Sequence, residues 1–194
     1  MHQIALPLDE LRPGSASSLI ITATNAPVVA ALADSANWPG RCAILCGPAR
    51  SGKSLMARYF VSQAVGNVID NAEIAGEEVL FNAWNRAQES MQPLLLISSL
   101  PPADWEIELA DLRSRLAAAL LLQIPPPDDE LVGQLLQKHL ADRGTTIGLE
   151  AQAYVIKRIE RRYSAIEAFA REANARALAG NVPISFGLVK SLIG

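Results

Sequence analysis

The chain has 194 residues, with 17 Lys and Arg against 20 Asp and Glu, 50% apolar residues and a formal net charge of -3. That length and apolar content can build one core, or one core with a small satellite, and exclude a disordered chain. The acidic balance gives no broad basic footprint for autonomous DNA or RNA binding, so any DNA connection is expected to be indirect.

Residues 1–18 read as an arm. It opens with "QIALPLDE", a short apolar segment running from Gln3 to Glu10, and continues into a Pro-, Gly- and Ser-containing stretch. The segment lacks the basic start and long apolar run of a signal peptide, which predicts a cytoplasmic protein. "SLIITATN" follows as an extended apolar piece, with Thr24 or Asn25 as N-cap of a helix through "APVVAALADSAN". "CAILC" is a continuous apolar run suited to a central strand buried on both faces. Cys42 and Cys46 share a face of that strand, too far apart along it for a disulfide, and read as buried thiols.

"SLMARYFVSQAV" is helical, "NVID" a short strand, "AGEEVLFNAWNRAQES" an amphipathic helix, "PLLLISS" a third strand and "ALLLQI" a fourth. Strands alternating with helices predict an α/β fold with a parallel sheet flanked by helices. The longest apolar run, "LAAALLLQI", falls short of the roughly 20 residues that a membrane-spanning helix needs, so no membrane association is expected. After Pro125–Pro127 the pattern becomes all-helical: "DDELVGQLLQKHLADRG", then about 149–162, 164–179 and "VPISFGLVKSLI". The expected division is an arm at 1–18, an α/β nucleotide-binding part at 19–126 and a helical lid at 127–194.

"GPARSGKS" carries the most specific chemistry. Its residues Gly47, Pro48, Ala49, Arg50, Ser51, Gly52, Lys53 and Ser54 fit G-x-x-x-x-G-K-S/T between a strand and a helix. Backbone N–H groups and the helix N-terminus can wrap phosphates, Lys53 can reach the beta and gamma phosphates, and the Ser54 hydroxyl can hold Mg2+. The expected acidic partner is Asp70, at the end of an apolar strand beside the first, helping to hold the magnesium shell. Asn71 follows it. An amide cannot serve as general base, so intrinsic hydrolysis is expected to be feeble.

In this order the motifs resemble the DnaA branch of the AAA+ ATPases over residues 19–193, implying an AAA+ P-loop NTPase fold with a C-terminal helical lid. "LIITATNAPVVAAL" resembles the branch's leading segment, which contributes to the adenine pocket. "ISSLPP" resembles the sensor I strand and places Ser98 or Ser99 at the sensor position. "LADLRSRL" resembles the segment bearing the arginine finger, which falls on Arg115 with Arg113 beside it. Within the branch, "IDNAEIAGEE" and "NRAQES" are similar to Hda-type regulators of the initiator. That resemblance implies ADP or ATP with Mg2+ as ligand, DnaA as partner, an arginine finger offered in trans, and negative regulation of replication initiation. A homodimer is an allowed assembly.

"QIALPL" then resembles the Q-L-S/D-L-P-L peptide with which Hda grips the DNA polymerase sliding clamp (beta subunit). Leu6 and Leu8 would enter an apolar groove while Gln3 makes directional hydrogen bonds. The alternative is a tail packed on its own domain. Two departures from the family pattern stand out. Ser164 occupies the sensor II position, where Arg is usual, although Arg161 or Arg162 could reach over. Only one helix fits between Ser54 and Asn67, so a helical insertion and one sheet strand are reduced or missing. An independent ATPase and a non-catalytic, ADP-bound adaptor remain the rival readings.

Overall fold

The computed structural model describes residues 19–193. Gln3, Leu6 and Leu8 lie outside the described residues, as does the rest of the arm. The chain divides into two compact units. One contains Pro27–Pro48 and Gly52–Ile124; the other contains Ile20–Ala26, Ala49–Ser51 and the chain from Pro125 onward.

The first unit is built on β1 (Cys42–Cys46), β2 (Asn67–Ile69), β3 (Leu94–Ser98) and β4 (Leu120–Gln123), in the order β2-β3-β1-β4. Every pairing is parallel, with Cys42 opposite Leu94 and Cys46 opposite Ser98. β1 and β3 are buried throughout, as their almost wholly apolar sequences require of strands covered on both faces. β2 and β4 are the edges and are more exposed, with Leu122 the one buried residue of β4 and none buried in β2. The expectation that the Asp70 strand lies beside β1 is not met: β3 pairs with both and separates them. Being apolar at every position but its last, "LLLIS" takes the more buried central place, whereas the short "NVI" suits an edge.

Cys42, Ile44, Leu94 and Leu96 form one face of the sheet and pack with Leu80, Ala83, Trp84, Leu112 and Leu116. These last residues come from α3 (Glu77–Ser90) and α4 (Ala110–Ala118). On α3 the buried positions are Leu80, Ala83, Trp84 and Ala87, the three-and-four spacing of a single helical stripe. Glu77 and Glu78 in its first turn match the positive end of its dipole. Alternation sends Ala43, Leu45, Leu95 and Ile97, all fully buried, to the other face. Phe60 of α2 (Lys53–Gln63) is fully buried and stacks on Trp38, ring centroids 5.1 Å apart. The two thiols are free and buried, and burial pushes Cys42 up to about 12.

The helix expected to run from Ala26 to Asn37 ends earlier: α1 is Ala26–Ala33, followed by a 3-10 turn at Ser35–Asn37. Trp38 Nε1 donates to Ala31 O at 2.8 Å and Asn37 Nδ2 to Asp34 Oδ1 at 2.7 Å, satisfying that end locally. Neither expected cap side chain is shown bonding a first-turn amide. Asn25 Oδ1 instead accepts from Thr22 N at 2.8 Å, and Thr24 Oγ1 donates to Asp128.

The second unit packs α5 (Asp129–Ala141), α6 (Leu149–Ile156), α7 (Tyr163–Gly180) and α8 (Phe186–Ile193) around Val132, Leu136, Leu140, Val155, Ile166, Ala170, Ile184 and Val189. Asp128 caps α5, its carboxylate accepting from Leu131 N at 2.8 Å. α6 stops at Ile156 rather than near Arg162, so Lys157–Arg162 is not the end of a helix. The cause is local: Arg161 Nη2 donates to Ile156 O at 2.8 Å and fills an acceptor at the helix end. Among the described residues, no helix is long and apolar enough to cross a membrane.

Candidate nucleotide site

The loop between β1 and α2 is shaped by two left-handed residues. Arg50 has φ 67, and Gly52, at the N-cap of α2, has φ 87. Gly52 needs that freedom, since side-chain-bearing residues are disfavoured there. The register of the strand is carried into the loop by Gly47 N, which donates to Ser98 O at 3.3 Å. At the other end Met56 N donates to Gly52 O at 2.9 Å, closing the first turn of α2.

No side chain caps α2 and no acidic residue stands in its first turn. Its first amides are therefore free of side-chain caps and carry the positive end of the helix dipole, the arrangement that suits phosphate oxygens. Lys53 folds along the loop, Nζ donating to Gly47 O at 2.6 Å and to Pro48 O at 3.1 Å. Ser54 is exposed on the same turn, with its hydroxyl in reach of solvent. An uncapped helix start, an ammonium group beside it and a free hydroxyl fit a nucleotide polyphosphate and its Mg2+.

Ala49, Arg50 and Ser51 belong to the second unit. There the Arg50 guanidinium pairs with Glu167 of α7 at 3.2 Å, and the Ser51 hydroxyl is buried without a partner among the described residues.

The strand ends bring further polar groups to the first unit's site. Asp70 is exposed just past β2, one carboxylate oxygen accepting from Asn71 N at 2.9 Å. Ser98 is buried, and its hydroxyl is consumed by a turn, donating to Leu100 O at 2.6 Å and accepting from Leu100 N at 2.9 Å. Of the two sensor candidates it is Ser99 whose hydroxyl stands 3.4 Å from Lys53 Nζ. Glu73, which no sequence motif marks, accepts from Ser99 N at 3.0 Å. Its only sequence signal was an acid three residues after Asp70. The Cys46 thiol, at the end of β1, is pushed up by burial, while the Lys53 charge pulls it down.

Comparison with solved structures gives the fold a context. Domain III of the Thermotoga maritima replication initiation protein DnaA matches with a TM-score of 0.71, covering 90% of this chain and 95% of that one at 14% identity. AMPPCP-bound DnaA from Aquifex aeolicus matches with a TM-score of 0.63 at 14% identity, covering 84% of this chain and 65% of that one. A Thermotoga maritima RuvB variant matches with a TM-score of 0.64 at 16% identity, over 87% of this chain and 66% of that one. This is the AAA+ P-loop NTPase fold. No family model matches the sequence.

Within the AAA+ fold, α4 carries both candidate arginines. Arg115 is half-buried and held three ways: by Asp111 at 2.6 Å, by Asn85 Oδ1 at 2.7 Å, and over the Phe81 ring at 4.7 Å. No motif in the sequence signals Asp111, Asn85 or Phe81 as partners of Arg115. Arg113 is exposed and Nη2 donates to Ile107 O. In the helical part of the AAA+ fold, Ser164 is exposed in the first turn of α7. Arg161 is drawn to Asp129 at 2.5 Å, and its Nη1 is buried without a partner among the described residues. Arg162 pairs with Glu160. Among the described residues no cluster of three or more His, Cys, Asp or Glu could hold a metal by itself. A magnesium ion here would therefore depend on nucleotide phosphates together with Ser54 and Asp70, the usual manner for this cation.

Proposed function

We propose that this chain is a nucleotide-binding AAA+ protein that regulates replication initiation in the manner of Hda. The observation that carries the reading is the phosphate loop: β1 runs through Gly47 into an uncapped α2 whose first residue is Lys53. ADP or ATP would lie on Gly47–Ser54, with Mg2+ between the phosphates, Ser54 and Asp70. DnaA structures that share the fold are described as bound to AMPPCP, and one also to single-stranded DNA, which supports adenine nucleotide as the ligand here. The arm at 1–18 would dock Gln3, Leu6 and Leu8 on the sliding clamp, residues 19–126 would form the nucleotide-binding part, and 127–194 the lid. DNA would be reached through the clamp. Arg115 would enter the nucleotide site of ATP-bound DnaA and promote hydrolysis in trans.

The test is DnaA-bound ATP hydrolysis in the presence of clamp-loaded DNA. Wild-type chain should accelerate it, and Arg115→Ala should lose about a thousandfold or more of that acceleration, the range seen for arginine fingers. Acceleration that survives Arg115→Ala would overturn the trans mechanism. The second reading, a non-catalytic ADP-bound adaptor, draws support from the contacts holding Arg115 to Asp111 and Asn85 of its own chain. It requires clamp binding that depends on Leu6 and Leu8 together with an activity indifferent to Arg115.

A further inference from the structure

Asn71, the residue after Asp70, cannot serve as a general base, but the chain does not leave this end of the sheet without a further carboxylate. Asn71 takes a left-handed conformation, φ 51, and leads directly into a 3-10 turn at Ala72–Ile74. Asn71 itself is exposed, whereas Glu73 in that turn is half-buried. Glu73 Oε1 accepts from Ser99 N at 3.0 Å, and Oε2 is buried with no hydrogen-bond partner among the described residues. Ser99 in turn places its hydroxyl 3.4 Å from Lys53 Nζ. The Glu73 charge is also felt at Cys46, the last residue of β1 before the phosphate loop. A single residue, Ser99, thus links this carboxylate to the lysine that would hold the gamma-phosphate. A buried carboxylate oxygen without a donor is costly, and such groups in native proteins commonly have a functional use.

We propose that Glu73 is the general base for ATP hydrolysis at this site, taking the part that Asn71 cannot. The inference rests on the nucleotide reading above. Oε1, fixed by Ser99 N, sets the orientation of the carboxylate, and Oε2 accepts a hydrogen bond from the attacking water. The water oxygen bonds to the gamma-phosphorus as the bond from that phosphorus to the beta–gamma bridging oxygen breaks. Its electron pair leaves on ADP, the water proton passes to Glu73 Oε2 and then to solvent, and inorganic phosphate is released. Lys53 and the free amides of α2 carry the negative charge of the phosphoryl oxygens through this step.

Glu73→Gln separates this role from a structural one, because the amide oxygen of Gln still accepts from Ser99 N while the proton acceptor is lost. The experiment is single-turnover hydrolysis of MgATP by the full chain, alongside binding of a fluorescent ADP analogue, for wild type, Glu73→Gln and Lys53→Ala. Glu73→Gln should bind within about threefold of wild type and hydrolyse about a hundredfold more slowly or worse, the scale of a lost general base. Hydrolysis by Glu73→Gln at the wild-type rate overturns the proposal. So does a wild type no faster than Lys53→Ala, or a Glu73→Gln protein that loses binding together with hydrolysis. Wild-type chain that binds no nucleotide overturns the underlying nucleotide reading instead, so the two failures are distinct.

Discussion

At the scale of single residues, two positions show how this fold constrains side chains for different reasons. A β-carbon on Gly66 would come 2.4 Å from Phe60 Cζ and 2.8 Å from Pro93 O. The constraint is close approach, since Phe60 is fully buried and Pro93 O accepts from Asn67 N at 2.9 Å. Gly66→Ala should therefore destabilise the chain by about 1–3 kcal/mol, as overpacking does, and urea unfolding will read it as a lower midpoint with unchanged slope. Arg115 is the opposite case. Its pair with Asp111 and its place over Phe81 leave the side chain 28% exposed, so solvent screens much of the attraction. Arg115→Ala should cost less than about 1 kcal/mol, the ordinary worth of an accessible pair. A loss of several kcal/mol in the same urea experiment would mean that the arginine is a structural tie.

At the scale of elements, the start of α5 concentrates several polar contacts of the helical unit. Asp128 accepts from Leu131 N and from the Thr24 hydroxyl, and the Thr24 bond is the chief reason its carboxyl is held below the ordinary range. Further along α5, burial lowers the His139 imidazole, with the Glu167 charge opposing. Both shifts act with the same sign. For each group the unfolded chain takes up protons at a higher pH than the folded one, so stability is fullest above the unfolded values, about 6.5 for His and 3.9 for Asp. It is lost as pH falls, first through the His139 window and then through that of Asp128. Asp128→Ala should cost about 1 kcal/mol at neutral pH, the usual value of an N-cap, and should flatten the decline below about pH 4. Thermal melts across that range, compared with wild type, check both parts.

Elements with unambiguous periodicity were legible in the sequence. "CAILC" and "LLLIS" are apolar at every position but one, and α3 repeats its buried stripe at helical spacing, so local pattern and tertiary burial agree. What was not legible depended on particular side-chain contacts rather than on residue pattern. The ends of α1 and α6 are set by Trp38 and Arg161 reaching carbonyls, which no propensity encodes. The separation of β2 from β1 has a different cause, because the place beside β1 goes to β3, the strand with more apolar surface to bury. In the candidate site the phosphate loop announces itself by spacing, while Glu73 becomes visible only once the 3-10 turn after Asn71 brings it to Ser99.

At the scale of the whole molecule, ligand linkage offers the most general test, because any nucleotide that binds the folded chain alone must raise its stability. The loop between β1 and α2 is held by bonds from Lys53 Nζ to two loop carbonyls and from Gly47 N to Ser98 O. Those bonds are modest, and the ammonium group is free to exchange loop carbonyls for phosphate oxygens, which are stronger acceptors of a charged donor. MgADP at a hundred times its dissociation constant should add about 2.7 kcal/mol. For a chain of this size that is a rise of about 5–11 °C in Tm. Lys53→Ala should melt within a few degrees of wild type without ligand and lose most of the rise with it. Removing Mg2+ with a chelator should reduce the wild-type rise if, as proposed, Ser54 and Asp70 reach the phosphates through the cation. A rise of equal size in Lys53→Ala would place the nucleotide somewhere other than Gly47–Ser54, and the loop would lose its assigned role.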